Sequence, residues 1–122
     1  MTKSYKDLIV WQKSIELVVE IYRITAKFPK SELFGIIMQM RKAVISIPSN
    51  IAEGYGRKSW KEKDQFYLIS FGSGCELETQ IIIAKRLQFV KDEEFLKADG
   101  LLDEIQRMLN KMTSAHRNSP SS

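Results

Sequence analysis

Histidine and cysteine are scarce in this 122-residue chain, one of each, and each scarcity removes a class of protein. The lone histidine, His116, stands in a polar C-terminal stretch. The Glu-x-x-His pairs of ferritin-like di-iron bundles are therefore missing, and no metal or other cofactor is expected. The lone cysteine, Cys75, cannot form an internal disulfide, which fits a reducing compartment. Neither of its neighbours is basic or histidine, so it reads as a small buried helix residue rather than a reactive thiol. No apolar run reaches the roughly 18–20 residues of a membrane span. The start, Met1-Thr-Lys-Ser-Tyr-Lys-Asp7, lacks the apolar core of a signal peptide. The expectation is a cytoplasmic protein without membrane contact.

Catalytic signatures are missing too. There is no P-loop, no glycine-rich dinucleotide fingerprint and no nucleophile elbow. Glu76 and Glu78 fall about 200° apart around a helix, which argues against a paired acid–base site. No internal repeat, low-complexity segment or strand-like alternation is found. A non-enzymatic protein is the reading that remains.

What the chain does have is helical periodicity. Its 43% apolar and 28% charged residues are ordinary for one globular domain. Leu8, Trp11, Ile15, Val18 and Tyr22 recur at spacings of three and four and predict a first helix that stops at Phe28-Pro29. Leu33, Ile37, Met40, Val44, Ile47 and Ile51 predict a second, closed at Gly54-Tyr-Gly56 by glycine in the left-handed conformation. Ser59-Trp-Lys-Glu62 fits a capping box and starts a third. That helix carries two stripes, one through Phe66, Ile69, Ser73, Leu77, Ile81 and Ala84, the other through Tyr67, Phe71, Cys75 and Ile82. Such a helix is either the most central of the four or a subunit interface, and the second reading is preferred. Asp92 is the expected cap of a fourth helix through Phe95, Leu102, Ile105, Leu109 and Met112. Short connections make the prediction an all-α, antiparallel up-down-up-down four-helix bundle over residues 1–115, with a frayed polar tail at 116–122.

The formal charge of +4 permits nucleic-acid binding without demanding it. Arg41 and Lys42 are adjacent on the second helix, and Arg57, Lys58, Lys61 and Lys63 gather at the next turn, with Glu62 and Asp64 among them. Cations beside a stacking aromatic such as Tyr55 or Trp60 are what phosphate binding requires. Arg41, Lys42, Arg57, Lys58 and Lys61 are the candidate contacts to RNA or DNA phosphates. Pro48 interrupts the second stripe, and Ser46, Ser49 and Asn50 can bond the backbone groups released there. Asn50 and Glu53, the polar pair near this kink, either fix the bundle's register or take part in binding. A structural adaptor that holds a protein partner is the alternative function.

Several long motifs also carry a resemblance. Asp7-Leu-Ile-Val-Trp-Gln-Lys13, Gln39-Met-Arg-Lys-Ala43, Ser46-Ile-Pro-Ser-Asn-Ile-Ala-Glu-Gly54 with Arg57, and Gly72-Ser-Gly-Cys-Glu-Leu-Glu-Thr-Gln80 resemble the four-helix-bundle family encoded by intervening sequences of 23S ribosomal RNA genes. One departure is Lys42, where the family pattern has a second arginine; charge is kept but bidentate recognition is not. The resemblance implies a left-handed bundle assembled as a homopentamer in bacteria, without a settled activity. The fold is also distantly similar to the accessory variability proteins of retroelements, pentameric bundles that bind nucleic acid beside a reverse transcriptase. That likeness is one of fold, which by itself does not carry function.

Overall fold

The computed structural model describes residues 4–117, with side chains to Thr113. Four helices make up the body: α1 (Ile9–Thr25), α2 (Met38–Tyr55), α3 (Trp60–Leu87) and α4 (Leu96–Arg117). Short 3-10 turns precede α1 at Tyr5–Asp7 and α4 at Asp92–Phe95, and a π-type turn, Leu33–Ile37, leads into α2. No strand occurs among the described residues. Contacts between elements run in reverse sequence order. Gly54 meets Tyr67 and Ser46 meets Ser73 across α2 and α3. Gln106 meets Phe71 and Asp99 meets Lys85 across α3 and α4. The backbone of α4 is helical as far as Arg117, so the first two residues of the expected tail belong to that helix, and residues 118–122 lie outside the described ones.

The core is aliphatic and comes from all four helices. Leu17, Ile21, Met40, Ile47, Ile81 and Leu109 are among its fully covered side chains, each stabilising by about 1.5–3 kcal/mol relative to exposure. In α2 the buried stripe is the predicted one from Ile37 to Ile51. Leu33 drops out of it because Gly35 leaves helical geometry (φ −109°, ψ −115°) and changes the phase of the turn before α2.

In α1 the expected stripe is displaced. Val10, Leu17, Ile21 and Ile24 face the core, whereas Leu8, Trp11 and Val18 are half-buried and Ile15 and Tyr22 are 37% exposed. The true stripe contains Ser14, buried with its hydroxyl donating to the Trp11 carbonyl at 2.7 Å. A serine satisfied inside its own helix costs little to bury, and that concealed the phase.

Three local expectations are corrected. Neither Gly54 nor Gly56 is left-handed; α2 ends with Gly56 at φ −77° and its amide on the Ala52 carbonyl. The one left-handed residue among those described is Gln88 (φ 57°, ψ 42°), which ends α3, with the Phe89 amide returning to the Ala84 carbonyl at 3.3 Å. Asp92 makes no side-chain cap, because the chain enters α4 through a 3-10 turn whose cap position is Lys91. Cys75 is exposed, since α4 covers its side of α3 only as far as the Gln106 amide, 3.6 Å from the thiol sulfur.

α3 confirms its capping serine, whose Oγ accepts from the Glu62 amide at 3.2 Å. Its two predicted stripes do not both find cover. Leu77, Ile81 and Ala84 are buried, while Leu68, Ile69, Ile82, Ile83 and Leu87 remain exposed. Within the chain this helix is not enclosed all round.

Candidate nucleic-acid interface

The predicted cations divide into two groups at opposite ends of α2. From Arg41 to Tyr55 the helix alone spans about 21 Å at 1.5 Å per residue. Arg41 and Lys42 therefore do not join Arg57, Lys58 and Lys61 in one patch.

Arg41 is a brace between helices. Its Nε donates to Thr25 Oγ1 at 3.0 Å, its Nη2 reaches the Tyr22 carbonyl at 3.4 Å, and the guanidinium lies 4.4 Å from the Tyr22 ring centroid. Three attachments to α1 leave it half-buried. Lys42, one residue on, is exposed and borders a cleft of about 480 Å³ between α2 and α3, lined also by Gln39, Ser46, Ser73 and Glu76.

Below that cleft side chains bond the three carbonyls that follow that of Val44, the one Pro48 leaves without its helical donor. Pro48 has no amide hydrogen to give to α2. Ser49 Oγ donates to the Ile45 carbonyl at 2.9 Å, Asn50 Nδ2 to the Ser46 carbonyl at 2.8 Å, and Ser70 Oγ to the Ile47 carbonyl at 2.6 Å. Asn50 also reaches Ser46 Oγ at 2.9 Å, which in turn lies 2.8 Å from Ser73 Oγ. Asn50 thus serves a polar seam between α2 and α3. Ser70 and Ser73 were not singled out for this seam. Their signal was small polar residues three apart in an otherwise apolar helix.

Glu53 pairs with Arg57 at 3.0 Å, and the Arg57 guanidinium lies 4.7 Å from the Phe66 ring centroid. Lys63 donates to the Tyr55 carbonyl at 2.7 Å and sits 5.5 Å from the Tyr55 ring and 5.7 Å from that of Trp60. Arg57 and Lys63 therefore shape the turn between α2 and α3. Beneath it the phenol of Tyr67 is pushed above its ordinary value of 10.0, first by burial and then by Tyr55 and Asp64. Lys58 and Lys61 differ: both are exposed, and their ammonium groups have no ion pair or hydrogen bond among the described residues. Trp60 stands between them with 57% of its surface exposed. Cations and acids almost balance here, Arg57, Lys58, Lys61 and Lys63 against Glu53, Glu62 and Asp64. What the turn offers an anion is the two unneutralised lysines rather than a broad field.

No group of three or more His, Cys, Asp or Glu side chains that could hold a metal occurs among the described residues, and no described helix is long and apolar enough to cross a membrane.

No curated protein matches the chain. Among solved structures it is similar to a protein of unknown function from the S23 ribosomal protein family of Bacteroides thetaiotaomicron VPI-5482. The two share 21% identity and a TM-score of 0.80 over 86% of this chain and 98% of that one. At that identity the likeness establishes the helical fold alone. The sequence comparison goes further, because residues 6–111 match the family described as 23S rRNA-intervening sequence protein. That span takes in the whole of α1, α2 and α3 and most of α4, and the chain belongs to this family.

Proposed function

We propose that the protein is a non-enzymatic, cytoplasmic homo-oligomer that binds RNA or DNA phosphates through the turn between α2 and α3. The observation that carries the binding half is the pair Lys58 and Lys61, exposed cations without a carboxylate partner. Arg57 supports the turn from within, and Lys42 adds a separate cation at the far end of α2. Recognition is electrostatic, since phosphate contacts position a nucleic acid without reading its bases.

Self-association is supported by uncovered apolar surface. Val19 on α1 is 65% exposed, and Ile82 and Ile83 on α3 stand out beside Leu87. α1 and α3 present different residues, so a contact between them would be head-to-tail, the kind that closes into a ring. Five is the subunit number that the family resemblance implies. A ring repeats Lys58 and Lys61 in every subunit, and the repeated pair makes a stronger anion site than one turn provides.

The test is fluorescence anisotropy with labelled RNA and DNA at low and near-physiological salt, beside light scattering for the subunit number. Wild type is expected to bind more weakly as salt rises, linearly in log salt. Lys58→Glu with Lys61→Glu is expected to abolish binding and leave assembly intact. Unchanged affinity in that double variant refutes the assignment of the turn.

A second reading, an adaptor for a protein partner, is favoured by the corner before α2. There Tyr22, Leu33, Phe34, Ile37, Met38 and Ile45 line an apolar cleft of about 420 Å³ edged by Arg41 and Lys42, and Phe34 is 82% exposed. A partner retained after nuclease treatment and lost on Phe34→Ser supports that reading.

A further inference from the structure

We propose that the turn between α2 and α3 is a stacking platform for an unpaired base, so that its ligand is single-stranded nucleic acid. The inference rests on the phosphate-binding reading above and specifies the class of strand. Trp60 takes the base on its indole, and Lys58 and Lys61 take the phosphates on either side.

Trp60 is the most exposed aromatic of the turn, and its setting is built. Ser59 holds an extended conformation (φ −99°, ψ 152°) and accepts the Glu62 amide, so the residue after it is the first of α3. Trp60 is therefore fixed on a rigid helix rather than carried on a loop. Lys63, held by the Tyr55 carbonyl, places its ammonium over one face of the ring, 5.7 Å from the centroid, so a base would stack on the opposite face.

The charges decide between duplex and single strand. With cations and carboxylates nearly balanced, the turn lacks the broad positive face that a duplex backbone requires. A duplex also keeps its base faces stacked within the helix, out of reach of an indole. A single strand presents them, and stacking tolerates any base because every base has a π face. Two lysines per turn should give a salt slope of about 1.4, at about 0.7 per neutralised phosphate of a single strand.

The chain has two tryptophans, so Trp11→Phe leaves Trp60 as the one indole reporter. That protein is titrated with a short oligothymidylate and with a DNA duplex of equal length. The expected result is quenching of Trp60 emission by the single strand alone. Trp60→Ala should weaken single-strand binding about tenfold and leave the salt slope unchanged. Trp60→Phe, which keeps a ring, should recover most of the loss and so separates stacking from folding. Binding without quenching, or equal affinity in Trp60→Ala and wild type, overturns the platform and leaves the phosphate reading standing. Absence of binding to either, together with absence of RNA binding in the anisotropy titration above, overturns both.

Discussion

Gly54 lies against the ring of Tyr67 so closely that a Cβ built on it would come within 2.8 Å of Cε1 and 3.1 Å of Phe66 Cβ. Tyr67 is buried and Phe66 Cβ is anchored to the α3 backbone, so neither can withdraw cheaply. The bare backbone at Gly54 brings the lower ends of α2 and α3 together and sets the turn that carries Lys58 and Lys61. Gly54→Ala is expected to destabilise the fold by about 1–3 kcal/mol through overpacking, even though alanine favours a helix by about 1 kcal/mol. Urea unfolding followed by circular dichroism measures the difference.

The register of α1 is tested by two adjacent faces. Leu17→Ala should cost about 2–5 kcal/mol, since Leu17 is fully buried. Val19→Ser should leave monomer stability within about 0.5 kcal/mol while weakening self-association. Equal unfolding midpoints for these two variants would contradict the core described here.

Arg41 is expected to act on stability and hardly on binding. Arg41→Ala removes the bonds to Thr25 and the Tyr22 carbonyl together with the ring contact, a loss of about 1–2 kcal/mol. Anisotropy with labelled RNA should give nearly the wild-type affinity, in contrast to the lysine double variant.

Acid should reach the top of the bundle first. Arg23 hydrogen-bonds Glu20 and holds that carboxyl below its ordinary value of 4.5. Lys27, bonded at 2.5 Å, does the same for Glu94, with help from Arg23. A carboxyl with a lowered folded-state pKa adds stability above its unfolded value and loses it as pH falls through the folded one. Wild type should therefore lose stability as pH falls below about 4.5. Glu20→Gln with Glu94→Gln should lose less over the same range. Urea midpoints measured against pH for both proteins check it.

How much of this was legible beforehand depended on whether one residue or two had to be known. The α2 stripe from Ile37 to Ile51 could be read because lysine, arginine and serine on its flanks leave a single apolar face. The phase of α1 could not, since Ser14 and Glu20 are both buried on the inner side and look like surface residues in one dimension. Gly54 announced itself as a glycine, but its reason, the Tyr67 ring, is thirteen residues away in the next helix. The same holds for the site. Lys58 and Lys61 were found by their proximity in the chain. The bracing contacts of Arg41 required Thr25 and Tyr22, and the bond to the Ile47 carbonyl beside Pro48 required Ser70.

α3 runs unbroken for 28 residues, about 42 Å, with no proline. Trp60 at its start and Ile82 and Ile83 near its end lie about 33 Å apart along the helix axis, so a nucleic acid at one and a neighbouring chain at the other would not compete for the same surface.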